Sequence, residues 1–234
     1  MKSIKVIGLG GIGGWLVEPL CVHLANSKET YDLTLIDGDS FELKNISRQR
    51  FASFDNKAAV VADKLKKQYS ANNIQFNSKG VYINEDNVSR HIREGDTVML
   101  CVDNHATRKV VSDRCEELKN VTLISGGNEL TDGNVIYYDR KDGKETGKPP
   151  TKLFTEIAKP EDHIPGSKAG CDILVESEPQ LVFANNMAAA LMLNTFYMHE
   201  ENKIDFDQAY FDIKTLGVRK TPEKEVQTLQ FDEE

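Results

Sequence analysis

The chain has 234 residues, 39% of them hydrophobic, and a formal net charge of -8. That length suits one α/β domain with an appendage, and the apolar share is enough to fill one sizeable core, which excludes disorder across the whole chain. The acidic balance argues against nucleic acid or an anionic membrane as partner, and no apolar run approaches the ~20 residues that span a bilayer.

Taken in chain order, residues 4–8 read as a buried first strand whose Gly-rich turn feeds a helix over 13–26. Residues 33–37 form a second strand, and 57–70 an amphipathic helix with Val60, Val61, Leu65 and Tyr69 on its inner stripe. A strand over 75–82 and a short helix over 87–93 follow. Residues 96–103 (DTVMLCVD) are a nearly unbroken apolar run ended by an acid, the pattern of a central parallel strand. A helix over 107–118 and a strand over 121–125 complete the alternation. Strand and helix alternating at this interval imply an α/β fold built on a right-handed, doubly wound, mostly parallel Rossmann-like sheet.

The pattern then changes. Residues 133–139 (GNVIYYD) alternate as an antiparallel strand does. Residues 140–170, rich in Lys, Gly and Pro, show little periodicity and are expected to form one long loop, and loops of that length are seldom idle. Residues 179–199 are a strongly apolar helix interrupted by Asn185 and Asn186, which a cap or a polar contact across an interface explains equally well. A last strand over 209–218 precedes a frayed acidic end.

The four cysteines, Cys21, Cys101, Cys115 and Cys171, form no CxxC pair. No structural zinc and no disulfide framework are expected, and with no secretory signal the expected compartment is the cytoplasm. Cys21, Cys101 and Cys115 read as packed residues of a helix, a strand and a helix. The five histidines make no ligand pattern; His105, near Asp103, is read as a surface loop residue.

Chemistry enters at Gly8-Leu9-Gly10-Gly11-Ile12-Gly13, a GxGxxG at the end of a strand and the start of a helix. Glycines there let the backbone turn sharply and approach a phosphate, which the helix N-terminus attracts. A tight structural turn is the bland alternative. Asp37 follows at the interval of a ribose-binding acid, although a strand-end Asp can also simply turn with Gly38. Up to this point an NAD(P)-dependent oxidoreductase fits equally well.

The stretch DGDSFELKNISRQRF, residues 37–51, breaks the tie. Asn45, Arg48 and Gln49 offer amide and guanidinium donors beside the nucleotide, and Arg suits bidentate capture of phosphate oxygens. Lys57 adds a point charge at the start of the next helix. Asp103, at the C-terminal end of the central strand, stands where such folds place ligands, and its carboxylate suits Mg²⁺. Arg48 as a surface ion pair is the competing reading for that residue alone. A triphosphate and its metal need the whole set; a nicotinamide cofactor does not.

On GLGGIGG, DGDSFELKNISRQRF, CVDNHATR and, more loosely, ISGGNELTDGNVIYY, the chain resembles the ThiF/MoeB family, bacterial relatives of ubiquitin-activating enzymes. The resemblance covers residues 1–140 well. It implies ATP-dependent adenylation of a C-terminal carboxylate, that of a small ubiquitin-like or sulfur-carrier protein ending in Gly-Gly. It gives Gly8, Gly10, Gly11 and Gly13 the nucleotide turn, Asp37 the ribose, and Asn45, Arg48, Gln49 and Lys57 the phosphates, with Asp39 among the nucleotide contacts. Asp103 would bind Mg²⁺ and help place the attacking carboxylate. It further implies one adenylation domain over 1–234, with a nucleotide-binding part (1–140), a crossover loop carrying Cys171 (141–175) and a C-terminal helix and strand (176–234), and a homodimer with helix 179–199 as candidate interface.

Cys171 matches the position where some members form a thioester to their substrate, with Lys168 near enough to lower the thiol pKa; an idle core cysteine is the alternative. The chain departs from the family in lacking the two zinc CxxC pairs and in opening directly on its first strand, where many members first carry a helix with an Arg for the partner's site. It is expected to be a divergent short member. Two other readings stay open: the NAD(P)-dependent oxidoreductase, and a non-catalytic ThiF-like subunit that binds a ubiquitin-like protein.

Overall fold

The computed structural model describes residues 1–43, 53–69, 73–165 and 181–222. Its first half is β1 (Lys2–Ile7), α1 (Gly11–Ala25), β2 (Tyr31–Ile36), α2 (Lys57–Gln68), β3 (Ile74–Lys79), α3 (Val88–His91), β4 (Asp96–Leu100), α4 (His105–Glu117) and β5 (Val121–Asn128). The second half is β6 (Asp132–Lys141), β7 (Lys144–Gly147), α5 (Pro150–Leu153), α6 (Thr155–Ala158), α7 (Val182–Glu200), β8 (Phe206–Asp212) and β9 (Gly217–Pro222).

Among the described residues these strands make one sheet in the order β3-β2-β1-β4-β5-β6-β8-β9, with β7 beside β6. The first five are parallel, and everything from β6 onward is antiparallel. The expected doubly wound sheet with antiparallel strands added in its C-terminal half is therefore the observed fold. β7 and β8 share the outer edge of β6: β8 pairs with Asp132 to Ile136, and β7 with Tyr138 to Lys141.

The strands read as apolar runs because both faces of the sheet are covered. Side chains alternate between two cores, as a period of two requires. Ile4 and Val6 of β1, Leu33 and Leu35 of β2, and Met99 of β4 face the layer of α1, α2 and α7. Ile7, Ile36, Val98 and Leu100 face the layer of α3 and α4 instead. Short polar side chains start two of the helices: Asn56 accepts the Ala59 N–H at 3.2 Å, and Asn104 the Thr107 N–H at 2.7 Å. Among the described residues, no helix is long and apolar enough to cross a membrane.

Two expectations need correction. Residues 140–165 are not one loop: β6 runs on to Lys141, and β7, α5 and α6 follow it. Each of these three is a single four-residue turn or strand, too short to show a period. The last strand is a hairpin, because the chain reverses between Asp212 and Gly217, where Leu216 takes φ +55.

Candidate nucleotide site

Parallel strands order the site. With β2, β1 and β4 adjacent, the loops at their C-terminal ends lie side by side, and the connections from β1 and β4 diverge there, which is where open α/β sheets bind ligands. The Gly-rich turn after β1 therefore sits between Asp37, after β2, and Asp103, after β4.

That turn is pressed against the sheet. Gly8 has φ +88, and a Cβ on it would stand 2.9 Å from the carbonyl carbon of Cys101. A Cβ on Gly13 would come within 2.0 Å of the Gly8 oxygen. Only glycines let the first turn of α1 pack so close to β1 and β4. No side chain caps α1, so the first N–H groups of the helix, at half-buried Gly10 and Gly11, meet whatever approaches.

Asp37 is 9% exposed and locks this turn to β2. Its Oδ2 accepts the Leu9 N–H at 2.6 Å, and its Oδ1 accepts the Asp39 N–H at 2.8 Å. Burial pushes its pKa up, while Lys57 and the two N–H donors pull it back. Each oxygen keeps a lone pair for a further donor, such as a ribose hydroxyl.

Asp39 and Lys57 are joined twice. The Lys57 N–H donates to the Asp39 carbonyl at 2.8 Å, and its buried ammonium meets Asp39 Oδ2 at 2.9 Å. The Tyr82 hydroxyl donates to the other oxygen of Asp39, and burial together with that carboxylate raises the phenol pKa. Asn56 completes the arrangement by donating to the carbonyls of Asp37 at 2.8 Å and Asp39 at 3.0 Å. The structure thus brings together Gly8, Gly10, Gly11, Gly13, Asp37, Asp39 and Lys57. The Lys57 ammonium is held by a carboxylate, a restraint that the sequence does not announce.

On the other side, Asp103 is exposed and accepts no hydrogen bond from the described residues. Behind it lies a residue the sequence reading missed. Arg108, 6% exposed, donates to the carbonyls of Val102 at 2.6 Å and Gly126 at 2.7 Å, and to Ser125 Oγ at 2.8 Å. Burial lowers its pKa, and the nearby Asp103 carboxylate opposes that shift. Arg108 thereby fixes the backbone that carries Asp103. Its signal was available, since it falls on the inward face of α4 with Thr107 and Val111. Asp162 was also missed: its carboxylate accepts the N–H groups of His105 at 2.6 Å and Ala106 at 2.8 Å, holding the residues after α6 across the start of α4. His105 accordingly opens α4 and is half-buried, rather than lying in a surface loop.

A model described as the ThiF family matches residues 1–228. The chain belongs to the ThiF family. It is 32% identical over 145 residues to the adenylyltransferase and sulfurtransferase MOCS3 of Drosophila persimilis, an alignment covering 58% of this chain and 30% of that protein. It is 28% identical over 162 residues to the molybdopterin-synthase adenylyltransferase of Escherichia coli K12, covering 67% and 61%. The fold is also that of Escherichia coli MccB in its structure with ATP: TM-score 0.69, 18% identity, 95% of this chain and 64% of that one. The chain therefore spans less than two thirds of each of these proteins.

Of the remaining residues singled out from the sequence, Asn45, Arg48, Gln49, Cys171 and Lys168 lie outside the described residues. The other three cysteines are buried, as expected from their places on a strand and two helices. Burial pushes the Cys21 and Cys101 thiols up to about 12 and raises Cys115 as well, so none is suited to attack as a thiolate.

Proposed function

We propose that this ThiF-family chain binds ATP at the N-terminus of α1 and adenylates the C-terminal carboxylate of a small ubiquitin-like or sulfur-carrier protein. One observation carries the reading: the uncapped, glycine-lined helix start lies between Asp37, locked by two backbone N–H groups, and exposed Asp103, backed by Arg108. Asp37 takes the ribose, and Gly10 and Gly11 the phosphates. Asn45, Arg48, Gln49 and Lys57 surround the triphosphate, Arg48 carrying the charge that develops in the reaction. The names of the relatives, both adenylyltransferases, support the reaction class.

In the reaction a carboxylate oxygen attacks the α-phosphorus, the bond to the bridging oxygen breaks, and pyrophosphate leaves. The protein's part is alignment and neutralisation of developing charge. Asp103 fits a Mg²⁺ site, since an exposed carboxylate beside a triphosphate is the sparse oxygen donor set this ion takes while keeping its waters. When bound, the ion neutralises charge on the departing pyrophosphate.

In a second step the Cys171 thiolate attacks the acyl carbon, AMP leaves, and a thioester forms. Residues 1–140, 141–175 and 176–234 act as the nucleotide part, crossover and C-terminal part of one domain. The working form is a homodimer meeting through α7, which carries exposed Phe183 and Tyr197.

Exchange of labelled pyrophosphate into ATP tests the reading. The chain should catalyse exchange only with a carrier protein ending in Gly-Gly, and Asp103→Ala should abolish it while leaving the fold intact. Exchange with no carrier present, or none with any carboxylate, would remove the proposed reaction. An NAD(P) enzyme or a non-catalytic subunit would give none. Cys171→Ala should keep exchange and lose the thioester.

A further inference from the structure

Asn185, on the first turns of α7, has no counterpart among the roles assigned so far. Its side chain is fully buried, at 0% exposure, and neither its Oδ1 nor its Nδ2 has a hydrogen-bond partner. Among the described residues, it is the one side chain with both ends of a buried polar group orphaned. Neighbouring Asn186 behaves differently, donating to the Val182 carbonyl of its own helix at 2.9 Å. A buried amide without partners costs free energy, so the residue calls for an explanation other than packing.

Packing alone would not select it. Around Asn185 the helix presents Ala184, Ala188 and Ala189, small apolar residues that an alanine or leucine would continue. Its place in the fold supplies the reason. The carboxamide lies against Gly11, the first residue of α1: a Cβ on Gly11 would stand 2.5 Å from Asn185 Oδ1 and 2.7 Å from Nδ2. The glycine at that position leaves the space the amide fills. The amide therefore sits beside the uncapped N–H groups of α1, where an anion is attracted by the helix.

We infer that Asn185 is a ligand of the nucleotide's phosphate chain, its Nδ2–H group turning to donate to a non-bridging phosphate oxygen lying over Gly10 and Gly11. This rests on the ATP-binding reading above and adds to it a donor from the C-terminal half of the chain. A neutral amide suits that position. It donates without adding a charge that must itself be buried in the free protein, as a lysine or arginine would. Gly11 and Asn185 then form a matched pair, in which a side chain on the first would displace the second.

The test uses the full chain, with ATP and Mg²⁺ as the probe. Asn185→Leu, close in shape, removes both orphaned atoms, so the free variant should melt at the wild-type temperature or above it. Its Kd for ATP, from calorimetry, should rise about tenfold, the effect of one hydrogen bond to a charged group. Asn185→Ala should weaken ATP similarly whatever its own melting temperature. A purely structural Asn185 would give the reverse: a lower melting temperature with ATP affinity unchanged in both variants, and that result would overturn the inference while leaving ATP binding intact. Wild-type protein that does not bind ATP at all would overturn both this inference and the reading beneath it.

Discussion

The nucleotide site and the cluster around His199, at opposite ends of the central sheet, are held differently. At the C-terminal ends of β1, β2 and β4, polar side chains are tied to backbone: Asp37 to two N–H groups, Asn56 to two carbonyls, Arg108 to two carbonyls and a hydroxyl, Asp162 to two N–H groups. At the other end, the bonds around His199 join side chain to side chain. Tyr137 Oη lies 2.9 Å from His199 Nδ1, Thr122 Oγ1 lies 3.4 Å from His199 Nε2, and Thr122 donates to Asp139 at 2.6 Å. The contrast separates positioning from packing. A side chain bonded to backbone holds the chain's path and cannot be exchanged without moving it, whereas a side-chain cluster can be replaced by another that fills the space.

The sharpest way to break that contrast is at the Gly-rich turn. Gly13→Val sets a branched side chain where even a Cβ stands 2.0 Å from the Gly8 oxygen. It should cost about 3 kcal/mol or more, measured by urea denaturation, with loss of ATP binding in whatever protein remains folded. Arg108→Met comes next. It keeps the bulk of the side chain but leaves two carbonyls and the Ser125 hydroxyl without their donor, and should cost about 2 kcal/mol. Arg108→Lys, which carries charge without the planar fork, should recover only part of that loss.

The smallest effect is expected at the far end. Burial holds the His199 pKa below its ordinary value near 6.5. The unfolded chain therefore takes up this proton at a higher pH than the folded one, so the contribution is present above that ordinary value and lost as pH falls through the folded pKa. His199→Gln should flatten the fall of melting temperature between pH 7 and about pH 5 and change little at neutral pH. A large loss at neutral pH would mean that the His199 cluster is as tightly specified as the site.

What was legible in the sequence follows the same division. The parallel half announces itself because its strands are buried on both faces and read as apolar runs ended by Asp37 or followed closely by Asp103. The turn glycines were legible because Gly8 takes a positive φ and a side chain on Gly13 would meet the Gly8 oxygen. Arg108 and Asp162 were not read, since their importance lies in distant partners: the Gly126 carbonyl and Ser125 hydroxyl on β5, and the N-terminus of α4. Asn185 was noticed only as an interruption in an apolar helix, because its contact, Gly11, is far away in the chain. The elements β7, α5 and α6 escaped because four residues carry no period, and β9 because the reversal after Asp212 falls inside a stretch with strand-like composition.

The central claim is that a triphosphate lies on the start of α1 between the ends of β2 and β4. A crystal structure with a non-hydrolysable ATP analogue and Mg²⁺ tests it directly. The account predicts ribose hydroxyls on Asp37, phosphate oxygens over the N–H groups of Gly10 and Gly11, and the phosphate chain on the Asp103 side. A nucleotide bound elsewhere, or one whose phosphates point away from Gly11 and Asp103, would contradict it.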